Sequence, residues 1–254
     1  MAELGRLTRK RKKEEVTVKC VTSSVYSVYE KTLCLCVAQA EEPHNPREWY
    51  MLKISSEKDE EKEAEEKLAK KLGKSFRFYG TSSASVVSFV YRIGGYCGKQ
   101  RYSRNVRYFD SSHPKEGLKT GPRTICARCD AAVVGLNGNL YVMGFDGGGA
   151  SLDVPSVGGE FLDTRLVGEG HAEWSALPDP PSNLGSKCLF AAAFGGDFSS
   201  KILVLNLYTY AMCLYDVPEK SWESLDPIVE YYSGFTGHPV VVGTNLYWIQ
   251  GSNV

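Results

Sequence analysis

The 254-residue chain lacks a surplus of either charge, because 30 lysines and arginines balance 30 aspartates and glutamates. A neutral chain has no overall electrostatic bias toward nucleic acid. No apolar run reaches the roughly 20 residues that a membrane-spanning helix needs, and the polar start at residues 1–6 does not resemble a secretory signal. We therefore expect an intracellular protein, cytoplasmic or nuclear, with reduced thiols and no membrane partner.

Histidine is scarce as well, and its four residues are His44, His113, His171 and His238. The chain has no His-x-x-x-His metal pair and no nucleophile elbow. A triple glycine at residues 147–149 lacks the Lys-Ser/Thr ending of a phosphate-binding loop. No carboxylate pair stands out from the surface acids. The sequence therefore predicts that the protein is not an enzyme, with no catalytic residue, no metal site and no cofactor.

Eight cysteines include the CxxC pair Cys126 and Cys129 and the CxC pair Cys34 and Cys36. A CxxC pair is compatible with half a zinc site or with a redox pair. Zinc binding would need a second pair at suitable spacing, and a thioredoxin-like site would need a βαβ context. Because the sequence pattern offers neither, we interpret these cysteines as small hydrophobic residues on buried strands.

The chain does contain a pattern that returns about every 50 residues, which indicates a repeat architecture. Each copy has an apolar run ending at glycines or a small-residue turn, then a polar loop, then a strand ending in Asp; later copies add Trp-x-x-Leu. The copies begin with residues 88–95, 139–144, 201–205 and 245–251. Asn137-Gly138, between two apolar runs, predicts a tight hairpin because both turn positions need positive φ.

These copies resemble kelch repeats, each of which forms a four-stranded blade of a β-propeller. The residues that carry the resemblance are Gly94, Gly95, Gly144, Gly251, Trp174 and Trp222. Gly94-Gly95 is the clean glycine pair, whereas Phe145 and Ser252 replace the second glycine in two other copies. The resemblance implies an all-β, kelch-type propeller of the galactose oxidase/kelch superfamily. About four and a half blades are visible, as in a truncated or incompletely closed propeller.

The predicted organisation is a basic, disordered tail over residues 1–15 followed by the propeller over residues 16–254. Within the tail, five bases at residues 9–13 suggest either a nuclear-localisation signal or a solvated terminus. Residues 55–74 are a charged insertion, read as an exposed helix ending at Gly73 or as a disordered segment. The predicted blades cover residues 22–54, 76–120, 122–180 and 187–226, with half a blade at 229–254.

The resemblance implies a protein-interaction scaffold, closest to the divergent plant-type kelch proteins that present substrates to ubiquitin ligases. We expect no F-box-like or BTB-like segment before the blades. The candidate partner-binding residues lie in one loop and are Tyr96, Lys99, Arg101, Tyr102 and Arg104. Tyr and Arg are enriched at interface hot spots, and the alternative for this loop is a solvated basic segment.

Three alternative functions stay open at this point. The first is nucleic-acid or polyanion binding through the basic tail together with the basic loop. The second is a copper-radical oxidase-like enzyme, because the resemblance extends to galactose oxidase, whose metal needs Tyr and His ligands. The scarcity of histidine and the lack of an export signal argue against that enzyme. The third is a remnant without function.

Overall fold

The computed structural model of the chain describes residues 16–23, 30–39, 47–55, 70–75, 80–96, 102–144, 158–185, 189–194, 200–226, 240–242 and 245–247. Regular structure in these residues is almost entirely β-strand. Three short 3-10 helices occur at Pro114–Glu116, Thr164–Glu169 and Ser182–Leu184. No helix within these ranges has the length and hydropathy that crossing a membrane requires.

Within the described residues, four antiparallel sheets of four strands follow one another in sequence, and we call them blades 1 to 4. The strands are β1 (Val16–Ser23), β2 (Glu30–Gln39), β3 (Arg47–Ser55) and β4 (Lys70–Ser75) in blade 1; β5 (Ser82–Val86), β6 (Phe89–Ile93), β7 (Val106–Asp110) and β8 (Lys119–Gly121) in blade 2; β9 (Ala132–Leu136), β10 (Asn139–Met143), β11 (Gly159–Asp163) and β12 (Trp174–Ala176) in blade 3; β13 (Leu189–Phe194), β14 (Lys201–Asn206), β15 (Met212–Asp216) and β16 (Ser221–Leu225) in blade 4. A two-stranded sheet, the half-blade, contains β17 (Val240–Val242) and β18 (Asn245–Tyr247).

The first strands of successive blades lie side by side: β1 contacts β5, β5 contacts β9, β9 contacts β13, and β13 contacts β17. The approach of β9 to β5 is so close that a Cβ on Gly135 would lie 2.2 Å from the carbonyl oxygen of Ser85. Only glycine fits at this contact. This arrangement of blades around adjoining first strands is an all-β, propeller-like fold, and it confirms the fold class that the repeat predicts.

The apolar run of the second strand in blade 3 is explained by burial on both faces of the sheet. Leu140 and Val142 of β10 pack into the core between blades 2 and 3, whereas Tyr141 and Met143 pack into the core between blades 3 and 4. Successive side chains of a strand point to opposite faces, so a strand between two blades needs apolar residues at every position. Each such side chain contributes roughly 1.5–3 kcal/mol when fully buried.

The turn between β9 and β10 has the predicted hairpin geometry. Asn137 has φ of 50° and Gly138 has φ of 78°, and the strands pair on either side of these two residues, with Leu136 opposite Asn139. Positive φ at both central positions is the signature of a type I′ turn, whose twist matches that of the strands.

In blades 2 and 3 the glycines of the repeat follow the second strand. Gly94 and Gly95 follow β6, the second strand of blade 2, and not the inner strand, which is β5. In blade 4 the equivalent place after the second strand is held by Asn206, where β14 ends. The Gly195-Gly196 pair precedes that strand and lies outside the described residues, as does Gly251.

The charged segment at residues 55–74 differs from the prediction at both ends. Ser55 ends β3, and Lys70–Ser75 forms β4, which pairs with β3, so no helix ends at Gly73. The charge pattern that suggested a helix is overridden by strand pairing, because local propensity is a weak prior against tertiary contacts. Blade 1 therefore extends to Ser75. Residues 56–69 and the basic tail lie outside the described residues.

Candidate partner-binding face

The predicted binding loop lies beside the segment that connects blade 2 to blade 3. The loop joins β6 to β7 and spans residues 94–105, and we call it the tyrosine loop; the connecting segment spans residues 122–131, and we call it the crossing segment. The Arg128 N–H donates to the Ser103 carbonyl over 3.0 Å, and the Thr124 N–H donates to the Arg104 carbonyl over 3.0 Å. These backbone hydrogen bonds make the two segments one surface.

Two of the predicted binding residues, Tyr96 and Tyr102, face each other across the tyrosine loop. They form an antiparallel bridge, and their ring centroids lie 5.3 Å apart. Both residues are half-buried. A ring pair at this spacing is mutually stabilising by roughly 0.5–1.5 kcal/mol.

The structure gives Arg104 a role within the loop. Its Nε donates to the Thr124 carbonyl over 2.5 Å, and Thr124 is buried. The guanidinium therefore braces the tyrosine loop against the crossing segment, and its contact with a partner stays a prediction. Lys99 and Arg101 lie outside the described residues.

The glycines at the start of the tyrosine loop allow the crossing segment to approach. Gly94 has φ of 65°, and a Cβ there would lie 2.1 Å from the Arg128 carbonyl oxygen. The Gly95 N–H donates to the same oxygen over 2.7 Å. The glycine pair thus serves a contact between loops, and a side chain at Gly94 would displace the backbone on which the tyrosines stand.

A buried ion pair that the sequence analysis missed lies directly beneath this contact. Arg128 and Glu160 are 1% and 0% exposed, and both Nε and Nη2 of Arg128 lie 2.8 Å from Oε1 of Glu160. Arg128 Nη1 also donates to the Gly144 carbonyl over 2.6 Å, and Glu160 Oε2 accepts the Ile125 N–H over 2.6 Å. Buried charges persist when their hydrogen-bonding groups are satisfied in this way.

This ion pair links the two ends of the tyrosine loop to blade 3. Through its backbone Arg128 holds Gly95 and Ser103, and through its side chain it holds Gly144 and Glu160. Two signals in the sequence point toward it: Arg128 is a charged residue inside the CxxC stretch, and Glu160 is an acid that directly precedes the apolar pair Phe161-Leu162. Neither signal identifies the residue with which Arg128 or Glu160 forms its ion pair.

We had expected the cysteines of the CxxC stretch on buried strands, and this placement is wrong: both lie in the crossing segment, between β8 and β9. Cys126 is buried and Cys129 is partly exposed. The Thr124 hydroxyl donates to the Cys126 carbonyl over 2.7 Å, which fixes the turn there. Among the described residues no group of three or more His, Cys, Asp or Glu side chains is arranged to hold a metal ion.

The two repeat tryptophans make the same contact in successive blades. Trp174 of blade 3 donates its Nε1–H to the carbonyl of Pro122, just after blade 2, over 3.0 Å. Trp222 of blade 4 donates to the carbonyl of Pro178, just after blade 3, over 2.9 Å. Each fourth strand is thereby tied to the exit of the blade before it, which gives these tryptophans a structural role.

Comparison with known proteins supports the fold. No protein-family model matches the chain, and no curated protein matches it. The solved structure of YjhT is similar, with a TM-score of 0.55 and 14% sequence identity. The match covers 82% of this chain and 65% of YjhT, so the chain spans slightly less than two thirds of that protein. At this level of identity the similarity concerns the propeller-like fold alone.

Proposed function

We propose that the chain is a kelch-type propeller that acts as a protein-interaction scaffold, and that it binds a partner protein through the tyrosine loop of blade 2. The observation that carries the proposal is the Tyr96–Tyr102 ring pair, half-buried on a loop whose base is held by Arg128. Aromatic residues with a buried body and an open face are the residue type that dominates interface energetics.

The fixed base of the loop supports this proposal on energetic grounds. Association is opposed by the ordering of side chains and loops at the interface. Hydrogen bonds from Gly95 to Arg128, from Arg128 to Ser103 and from Arg104 to Thr124 order the described parts of the loop before a partner arrives. A preorganised aromatic pair therefore loses less conformational entropy on binding than a flexible basic loop would.

We further propose that the partner is a protein recognised for ubiquitination in the cytoplasm or nucleus. This narrower proposal rests on the resemblance of the repeat to plant-type kelch chains, whose propellers commonly present substrates to ubiquitin ligases. Fold similarity does not by itself fix function, so the partner must be identified experimentally.

The test is affinity capture from cell extract, followed by a comparison of variants against the partner so identified. We expect Tyr96→Ala/Tyr102→Ala to weaken partner binding about tenfold or more, because two hot-spot aromatics together commonly exceed 1.4 kcal/mol. Tyr208→Ala is the matched control, since Tyr208 is 83% exposed in the loop between β14 and β15 of blade 4. Equal binding by the double variant and the control would refute the proposal.

Retention on heparin supplies a check on the alternative function. If binding to heparin falls steeply with salt and is lost when residues 1–13 are deleted, the basic tail is a polyanion-binding segment. Partner binding that survives this deletion and depends on the tyrosines would assign recognition to the tyrosine loop.

A further inference from the structure

The tight turn between β9 and β10 is hydrogen-bonded to two other parts of the fold. The Asn137 side chain donates from Nδ2 to the Ser200 hydroxyl over 2.6 Å, and Ser200 directly precedes β14 of blade 4. The Gly138 carbonyl accepts both the N–H and the hydroxyl of Thr164, which follows β11, over 3.0 and 2.6 Å. A change in this turn therefore acts on blade 3 and on its contact with blade 4.

The same two residues form a chemically reactive pair. Asn137-Gly138 is the only Asn-Gly step in the sequence. The main-chain nitrogen after an asparagine is close enough to its side-chain Cγ to attack it within the molecule, and such proximity favours reaction. Glycine has no Cβ to hinder this approach. Asn137 is exposed, so water, which is the other reactant, reaches it.

We propose that Asn137 is a site of spontaneous deamidation in the folded protein, and that its hydrogen bond to Ser200 sets the rate. The Gly138 nitrogen attacks Cγ of Asn137, and a C–N bond forms between them. The Cγ–Nδ2 bond breaks, and the side-chain nitrogen leaves as ammonia with the proton of the Gly138 N–H. Water then opens the cyclic imide at either carbonyl, which gives aspartate or isoaspartate.

The Ser200 hydroxyl controls the first step because it holds the group that is attacked. While Nδ2 donates to Ser200, the Asn137 amide is directed toward blade 4. Ser200 is itself fixed there, since its carbonyl accepts the Val217 N–H over 3.0 Å. Rotation of the amide toward the Gly138 nitrogen requires the hydrogen bond between Asn137 and Ser200 to open. Loss of one such bond should therefore accelerate the reaction about fivefold.

The two products differ in their effect on the hairpin. Aspartate keeps the main chain, and its new charge lies near a cation, because Cδ and Nε of Arg165 lie 3.7 Å from where a Cβ on Gly138 would be. Isoaspartate lengthens the main chain of a two-residue turn that places Leu136 opposite Asn139. A hairpin register is set by the length of its turn, so isoaspartate should lower the stability of blade 3.

The site is separate from the proposed partner-binding function. The turn precedes the second strand of blade 3, whereas the tyrosine loop follows the second strand of blade 2. The test therefore needs no partner protein. The purified full chain is incubated in mildly alkaline buffer, and peptide mapping by mass spectrometry follows the exchange of the Asn137 amide for a hydroxyl.

We expect Asn137 to convert in the folded chain and faster still in urea, where the turn is absent. Ser200→Ala should raise the rate in buffer about fivefold. Ser175→Ala, at another exposed serine, is the matched control and should leave the rate unchanged. Equal melting temperatures of the two alanine variants would show that the faster reaction does not come from unfolding. Exposed Asn183 precedes Leu184 and should stay unmodified.

The proposal is overturned if Asn137 remains intact in buffer over a period in which it converts in urea. Equal rates for Ser200→Ala and Ser175→Ala would also overturn it, since the Ser200 bond would then not control the reaction. The deamidated fraction, isolated by anion exchange, should melt below Asn137→Asp, which has the same charge and a normal main chain. Equal melting temperatures would refute the expected effect on the hairpin.

Discussion

In blades 3 and 4 the segment that precedes the blade is hydrogen-bonded to the end of the blade's second strand. We call this contact the joint of the blade. Its position is the same in both blades, but its chemistry differs. In blade 3 Gly144 follows the second strand, and its carbonyl accepts from Arg128, which is paired with Glu160. In blade 4 the equivalent residue is Asn206, whose side-chain amide donates to the Leu184 carbonyl over 2.7 Å. Blade 3 thus has an ionic joint and blade 4 has a neutral one.

The equivalence of the two joints follows from the strand registers. Gly144 N–H donates to the Gly158 carbonyl, and Asn206 N–H donates to the Ala211 carbonyl, at the same step of each ladder. By the same registers Glu160 corresponds to Cys213, which is buried. Burial raises the pKa of the Cys213 thiol and so keeps it neutral. The repeat therefore conserves the position of the joint, while the chemistry of each joint is set separately.

The largest expected effect on the free energy of unfolding distinguishes the ionic joint of blade 3 from the neutral joint of blade 4. Glu160→Ala should lower the free energy of unfolding by about 3–5 kcal/mol, because it leaves the buried Arg128 charge without its partner. The measurement is urea denaturation followed by tryptophan fluorescence.

The double variant Arg128→Met/Glu160→Leu is the control for this prediction. It should be more stable than Glu160→Ala alone, since it leaves no buried charge behind. If Glu160→Ala lowers the free energy of unfolding by less than about 1 kcal/mol, a typical net value for one hydrogen bond, the ion pair is not what stabilises the joint of blade 3.

A smaller effect is expected from the neutral joint. Asn206→Ala should destabilise the chain by about 1–3 kcal/mol, the cost of leaving a buried carbonyl unsatisfied. The variant also loses the Asn206 Oδ1 contacts with the Tyr208 and Thr209 N–H groups, which shape the next loop. The same urea series tests the ranking: a loss as large as that of Glu160→Ala would contradict the distinction between the joints.

The smallest expected effect is on how the stability of the chain changes at acid pH. It involves the aspartate that ends the third strand in each of the two blades. In blade 4 hydrogen bonding from the Glu219 N–H, and then from Lys201, holds the pKa of Asp216 below its usual 3.8. In blade 3 the Arg165 side chain lowers the pKa of Asp163 in the same direction. A depressed carboxyl pKa adds stability above the unfolded value, which is lost as pH falls through the folded value.

We therefore expect Asp163→Asn and Asp216→Asn each to lose slightly less stability than the original chain when the pH falls below about 4. The measurement is the melting temperature as a function of pH, with Asp226→Asn as a control outside both contacts. Parallel curves for Asp163→Asn, Asp216→Asn and the original chain would show that neither carboxylate contributes to the pH dependence of stability.

Much of the fold could be predicted because its signals are local. The Asn137-Gly138 turn, the apolar run around Tyr141 and the spacing of Trp174 and Trp222 each depend on residues close in the sequence or on the repeat period. Blade 1 was harder to delimit, since the charges before Lys70 hide a strand that forms only by pairing with β3.

The base of the candidate partner-binding site could not be predicted in the same way. The Arg128–Glu160 pair joins residues 32 positions apart, and it exists because the register of blade 3 brings β11 under the crossing segment. The clash that requires Gly94 likewise involves a backbone oxygen of that segment. Such contacts follow from packing between blades, whereas the tyrosines themselves were visible as residue types in a loop.

The tryptophan contacts give the chain a direction of assembly. In both cases the accepting proline precedes the donating tryptophan, by 52 residues for Trp174 and by 44 for Trp222. During synthesis from the N-terminus, the carbonyl that receives each indole is therefore made before the indole itself. Domains of large proteins fold as they emerge, N-terminal parts first. We therefore expect blades 3 and 4 each to dock the fourth strand on a preceding blade that has already been synthesised.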